Sequence, residues 1–314
     1  MTRESEDHTG PASTGDSRLK LFLALSRTHH GILDMAAPAV AALLWLGGFP
    51  PPGVVALGLL TAFAGYTAVY ALNDLVDYRV DKERALQGFL SEPGADLDAI
   101  YVRHPLAQGR ISLKEALLWT GGWALTALLG ACLLNPLCAL IFLAGGLLEA
   151  IYCLLLRVTY LRTLVSGVVK TLGGIAAVFA VDPVPSHLFL VVLFLWLFFW
   201  EIGGQNIPND WTDLRADLSL RSQTIPVRFG LGTSAWLILA SLAIAVGLSL
   251  VLFWVTPNRF GLQYLVGSLI AGFVLLLRPA QRLHQGKSPG EAIALFNRAS
   301  YYPVIMLFVV MISW

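Results

Sequence analysis

Apolar residues along this chain neither alternate nor gather on one helical face; they run on. Nine stretches, 29–48, 53–73, 112–134, 136–156, 162–181, 185–205, 232–255, 260–278 and 290–313, are apolar nearly throughout. Each is about the 20 residues a helix needs to span a bilayer. A helix apolar around its whole circumference is solvated by lipid or by other helices, so each stretch predicts a transmembrane helix. Gly and Pro in GFPPPG, LNPL, VDPVP and RPAQ mark the connections. No stretch has the alternating pattern of a membrane β-barrel strand. The first 17 residues are polar, lack the basic-then-apolar order of a signal peptide, and read as a disordered tail.

Composition points the same way. The chain is 56% hydrophobic and 13% charged, with a mean hydropathy of +0.69, whereas soluble domains are about one quarter charged. The predicted fold is all-α: a polytopic membrane protein whose residues 18–314 form one domain, nine transmembrane helices around a central cavity with cytoplasmic cap loops. A net charge of +1 gives no basic footprint for nucleic acid, so membrane lipid and small molecules are the expected partners. Cys132, Cys138 and Cys153 stand in apolar runs without metal-ligand spacing and read as packing residues.

Charge placement orients the helices. All but three of the 21 Lys and Arg residues fall before the first span or in the even-numbered connections; the exceptions are Arg259, Lys170 and Arg298. The positive-inside rule then puts the N-terminus and those connections in the cytoplasm and the C-terminus on the other side.

Against this background six of the 20 acidic residues are spent on two copies of one pattern. NDLVDYRVD, 73–81, follows the second span, and NDWTDLRAD, 209–217, follows the sixth. Both therefore belong at the same face. Three- and four-residue spacings align side chains on a helix, which predicts one stripe of Asp74, Asp77 and Asp81 and another of Asp210, Asp213 and Asp217. Carboxylates so crowded repel one another, and a divalent cation relieves the repulsion. Mg²⁺ takes one or two carboxylates and completes its shell with waters and substrate phosphate oxygens. All six aspartates are therefore candidate metal ligands and catalytic groups for two Mg²⁺ ions on one diphosphate. Arg110 in GRIS and Arg228 in PVRFG are the favoured phosphate contacts, and Asn206 in GGQNIPND is a polar contact for metal-bound water or diphosphate. Asn73 and Asn209, which open the two motifs, and Arg157 in the 4–5 loop join the candidate substrate-binding set.

The motifs carry a resemblance. Asn73-Asp74-x-x-Asp77-x-x-x-Asp81, then Arg103-His104-Pro105-Leu106-Ala107-x-Gly109-Arg110-Ile111-Ser112, is similar to the UbiA-type intramembrane prenyltransferases. So is Asn209-Asp210-x-x-Asp213-x-x-x-Asp217 running into Thr224-Ile225-Pro226-Val227-Arg228-Phe229-Gly230. The resemblance spans residues 20–314. It implies that Mg²⁺ on the two Asp motifs binds an isoprenyl diphosphate, whose allylic C–O bond ionises. The carbocation then alkylates a hydroxylated aromatic or other lipid-soluble acceptor, as in quinone or prenyl-lipid synthesis. The family often has Tyr followed by a Lys-Arg pair; here Tyr152 is followed by Leu156-Arg157, without the Lys, and Lys170 one helix on can take a related charge role. The connection over 85–102 is longer than the family's.

Aromatic faces stabilise a carbocation, and Trp196, Phe198, Phe199 and Trp200 on the sixth span are candidates. Among intramembrane ionisable residues Asp34, Glu149, Lys170, Glu201 and Arg298, Lys170 is expected either to pair with Asp34 or Glu149 or to bind substrate, and Glu201 to touch metal-bound water or an Arg. His29 and His30 receive no role. A membrane terpene cyclase shares the ionisation step and is the alternative enzyme. A cation-coupled transporter is the alternative class, disfavoured because the acids cluster at one interface rather than at mid-membrane.

Overall fold

The computed structural model describes residues 17–89, 97 and 100–314. Residues 1–16, most of the expected tail, and nine residues of the 85–102 connection lie outside that set. Among the described residues nine helices are long and apolar enough to cross a membrane. They are α1 (Thr28–Leu46), α2 (Pro52–Val76), α3 (Leu113–Leu134), α4 (Pro136–Leu154), α5 (Arg162–Val181), α6 (His187–Thr212), α7 (Ile225–Val255), α8 (Leu262–Gly286) and α9 (Pro289–Met311). No strand occurs among the described residues.

Local chemistry sets the helix ends. α1 stops at Gly47, whose φ of 63° is the left-handed cap conformation glycine adopts without strain, with its N–H on Leu43 O at 2.8 Å. α3 opens with a capping box between Ser112 and Glu115. α7 begins seven residues before the expected position, because Pro226 suits a first turn and the PVRFG segment is helical. Gly230, φ 76°, kinks α7 at the close of that extra stretch.

Consecutive helices pack side by side, the ring closes where α9 meets α1, and α1 also packs on α5. The largest buried core joins α6, α7 and α9 around Trp196, Trp200, Ile238, Leu242 and Tyr302. Opposite it, α1, α2, α4 and α5 enclose a cavity of about 550 Å³, floored by Phe49, Val54, Ala180 and Met311. On α2 it extends from Asp74 to Val54, about 30 Å at 1.5 Å per residue.

One irregularity positions the site. Residues Glu201–Asn206 of α6 form a π-helical turn, which re-phases the helix beyond it. Glu201, Gln205, Asn206, Asn209, Asp210 and Asp213 consequently all line the cavity. Gly203 and Gly204 let the turn pack closely against α7 and α9. A Cβ on Gly203 would lie 2.9 Å from Leu242 and Ser241 side chains and 3.0 Å from the Ile238 carbonyl oxygen, and one on Gly204 2.9 Å from Ala299.

Gly203→Ala must therefore push α6 off α7, and overpacking of this kind costs about 1–3 kcal/mol. Thermal unfolding in detergent should show a lowered midpoint for Gly203→Ala. Gly247→Ala, with nothing within 4 Å of the added carbon, should not lower it.

Candidate active site

The two Asp motifs adopt the same backbone. α2 ends at Val76, Asp77 sits at φ −81°, ψ 1°, and a short helix, Tyr78–Leu86, follows. α6 ends at Thr212, Asp213 sits at φ −89°, ψ 7°, and Leu214–Leu220 follows. In each copy the third Asp donates its N–H to the carbonyl of the second at 2.9 Å. The expected continuous stripe is thus a helix, a break and a helix. The middle aspartate occupies the sparsely populated bridge region, where active-site residues recur; of the two last aspartates, only Asp81 lines the cavity.

Five of the six carboxylates, Asp74, Asp77, Asp81, Asp210 and Asp213, line the cavity. Asp217 does not: it is buried behind them, accepting from Arg84 at 2.8 Å and from Thr224 Oγ1 at 3.2 Å. Arg84 also lies 3.7 Å from both Asp81 and Asp213 and so ties one motif to the other.

Four further groups balance the acids. His104 Nδ1 lies 3.1 Å from Asp74 and 3.0 Å from Asp81. Arg27 donates to Asn73 at 2.9 Å and to Asp74 at 3.2 Å. Arg103 meets Asp213 at 3.3 Å. Arg162, stacked on the Tyr152 ring at 3.9 Å, reaches Asp210 at 3.2 Å. Arg27 and His104 have φ of 42° and 49°, a left-handed conformation that costs a non-glycine residue about 1–2 kcal/mol; both residues turn their side chains onto Asp74.

The electrostatics at the loop ends follow from burial and pairing. Burial pushes the Asp77 carboxyl up to about 6, with Asp81 adding to the rise. Burial opposes charge on His104, yet Asp81 and Asp74 outweigh it and lift the imidazole to about 9. Burial would also raise Asp213, but Arg103 and Arg84 hold it below the usual carboxylate range.

Asp74, Asp81 and His104 offer ligand atoms that all lie within 4.8 Å of one another. Asp81 Oδ2 and Asp210 Oδ2 are buried without a hydrogen-bond partner, though His104 stands close to the first. Oxygen-rich, anionic and incompletely satisfied, this donor set suits a hard divalent cation that shares its shell with phosphate.

The remaining expected residues divide. Asn73, Asn206, Asn209, Tyr152 and Lys170 all line the cavity; Asn206 Nδ2 donates to Tyr152 Oη at 3.0 Å, and Asn73 Nδ2 to Glu149 at 2.7 Å. Arg110, Arg157 and Arg228 are exposed and off the lining. The Arg110 carbonyl accepts from Arg18, and Arg157 pairs with Glu83 at the surface. Arg110 and Arg157 stand in connections and Arg228 in the first turn of α7, all three at the surface. Arg27, Arg84, Arg103 and Arg162 stand where those three were expected. The aromatic expectation on α6 also fails. Trp196 donates to Tyr302 and Trp200 to the Ala299 carbonyl, and Phe198 and Phe199 lie off the lining; the rings that line the cavity include Tyr66, Tyr70, Phe142, Tyr152 and Phe296. Lys170 pairs with Asp34, at 2.5 Å, rather than with Glu149. Glu201 meets Ser166 at 2.9 Å and Lys170 at 4.0 Å, not an Arg.

The Arg84 side chain is 13% exposed and its partner Asp217 is buried, and removing one partner of a buried ion pair costs about 3–5 kcal/mol. Arg84→Met should lower the unfolding midpoint strongly. Adding Asp217→Asn should restore part of the loss, a non-additivity that a double-mutant cycle reads directly.

Known proteins match this arrangement over most of its length. A sequence profile of the UbiA prenyltransferase family matches residues 35–302. The 4-hydroxybenzoate octaprenyltransferase of Nitrosococcus oceani is 27% identical over 267 residues, covering 82% of this chain and 85% of the relative. The apo structure of a UbiA homolog from Aeropyrum pernix K1 superposes with a TM-score of 0.74 at 18% identity, covering 91% of this chain and 98% of that one. A UbiA homolog from Archaeoglobus fulgidus bound to GPP and Mg²⁺ gives 0.68 at 18% identity, covering 93% and 99%.

Proposed function

The chain belongs to the UbiA prenyltransferase family, and from that premise we propose that it transfers a polyprenyl group from an isoprenyl diphosphate to a hydroxylated aromatic acceptor, with Mg²⁺ as its metal. The observation that carries this reading is the pairing of two like-folded Asp motifs at the polar end of one long apolar cavity. The family and the nine spans make it an integral, multi-pass membrane enzyme. The distribution of basic residues favours a cytoplasmic N-terminus and cytoplasmic Asp motifs, with the C-terminus across the membrane.

Asp74, Asp77 and Asp81 on one side, and Asp210 and Asp213 on the other, would hold divalent cations. Bound there, the cations supply charge neutralisation that makes diphosphate a better leaving group. The protein's own residues do the rest. Arg27, Arg103 and Arg162 present guanidinium groups around the diphosphate, a geometry suited to bidentate phosphate contacts. Asn73, Asn206 and Asn209 orient it through amide contacts. Beneath the polar rim the rings of Tyr66 and Tyr70 line the cavity, where an aromatic face would favour developing positive charge. The apolar walls below take up the prenyl tail and keep water from the cation. The name of the Nitrosococcus relative supports quinone synthesis as the setting.

The reading is tested by mass spectrometry of products from membranes supplied with prenyl diphosphates and aromatic acids. Prenylated acceptor should form with Mg²⁺, disappear with EDTA, and return on Mg²⁺ addition; turnover without metal sinks the reading. Asp74→Ala and Asp210→Ala should each lower transfer by about a hundredfold or more, the scale seen when charge-stabilising groups are removed, with the protein still folded in detergent. Arg110→Ala and Arg228→Ala, outside the cavity, should stay close to wild type.

A further inference from the structure

Below the Asp motifs the cavity wall is polar a second time. Glu201 lies nine residues before Asp210 on α6 and Lys170 eight residues after Arg162 on α5, each roughly 12–14 Å deeper at 1.5 Å per residue. Tyr70 is one turn below Asp74 on α2. Lys170 Nζ binds Asp34 at 2.5 Å and Tyr70 Oη at 2.9 Å, and Tyr70 also donates to Asp34. Glu201 accepts from Ser166 through Oε1 at 2.9 Å. Its other oxygen, Oε2, is buried, has no hydrogen-bond partner, and lies 4.0 Å from Lys170. Glu201 is 6% exposed and lines the cavity. Diphosphate binding uses none of these groups, and the prenyl tail has no polar atom to offer them.

A buried carboxylate oxygen without a donor is costly and persists where a ligand supplies the donor. The cluster's composition states which ligand. Lys170 faces two carboxyl groups, Asp34 and Glu201, and is already bonded to the first; His30 Nε2, 3.7 Å from Asp34 Oδ1, serves the same residue. A carboxylate brought to this depth would add a like charge in a medium of low dielectric, whereas a hydroxyl brings the missing donor.

We propose that Glu201, Ser166, Lys170 and Tyr70 form the acceptor subsite, and that Glu201 Oε2 accepts a hydrogen bond from the acceptor's hydroxyl group. The acceptor thus enters with an uncharged hydroxylated end toward mid-membrane. Its ring stands between this cluster and the diphosphate, within reach of the allylic carbon. The hydrogen bond to a carboxylate places the acceptor and enriches its oxygen and ring in electron density. This inference rests on the prenyl-transfer reading above.

The test uses the full-length protein in detergent with Mg²⁺ and geranylgeranyl diphosphate, and follows pyrophosphate release and product mass together. The acceptor probes are hydroquinone, 4-hydroxybenzoate, and the O-methylated counterparts 1,4-dimethoxybenzene and 4-methoxybenzoate. Hydroquinone should be prenylated with a higher kcat/KM than 4-hydroxybenzoate, and the O-methylated probes should not react. Glu201→Gln should raise the KM for hydroquinone about ten- to a hundredfold, the worth of a hydrogen bond to a charged group, while the KM for geranylgeranyl diphosphate stays near wild type. Ser166→Ala, which only loosens the carboxylate, should show the same split to a smaller extent and carries the test where Glu201→Gln does not fold. Unchanged acceptor KM in the folded variants, equal reaction of the O-methylated probes, or no reaction of either hydroxylated probe overturns the subsite. Absence of Mg²⁺-dependent pyrophosphate release from the wild type overturns prenyl transfer itself, a separate failure.

Discussion

Five carboxylates at the rim of an apolar cavity, with a sixth buried behind them, impose the constraint on which the rest of this structure depends. Like charges at such distances repel, and burial removes the water that would screen them. Arg27, Arg84, Arg103, His104 and Arg162 answer the repulsion from four different parts of the chain. Arg84 does so for both motifs at once, and thereby fixes their separation. Two left-handed residues, Arg27 and His104, accept backbone strain to bring their side chains to Asp74. Strain of this sort is held at functional sites by a surrounding structure that over-determines it.

Helix geometry serves the same end. The break at Asp77 turns the first motif's last aspartate, Asp81, across the mouth, whereas its counterpart at Asp213 leaves Asp217 buried behind it on Arg84 and Thr224. The π-turn at Glu201–Asn206 lets one helix present Glu201 deep in the cavity and Asp210 at its rim. Two glycines let that turn sit tightly against α7 and α9. The molecule therefore has two polar levels, a charged rim and a deeper hydrogen-bonding cluster, separated by aromatic rings and floored by an apolar well. A reaction joining an anionic leaving group, a developing cation and a polar acceptor needs such a gradation.

Several of the expected residues lie off the cavity. Arg110 and Arg157 lie in connections and Arg228 in the first turn of α7, and all three stay at the surface. Trp196 and Trp200 sit on the correct helix and on its inner face, yet that face meets α9 rather than the cavity. His104 lay within a quoted motif, and Arg84 follows Asp81 by three residues, a spacing that puts the two on one helical face. Arg27 carried no local signal at all, since its contact with Asp74 spans 47 positions.

Length and uniform apolarity are properties of each segment alone, so the nine spans were legible residue by residue, as were the two Asp motifs and their family. Which cations neutralise those aspartates, which face of each helix meets the cavity, and which of Asp34 and Glu149 holds Lys170 depend on how helices distant in sequence are rotated against one another. That rotation is set by close packing, such as Gly203 against Ile238 and α1 against α5. Packing is a property of pairs of surfaces, and only the tertiary structure brings the pairs together.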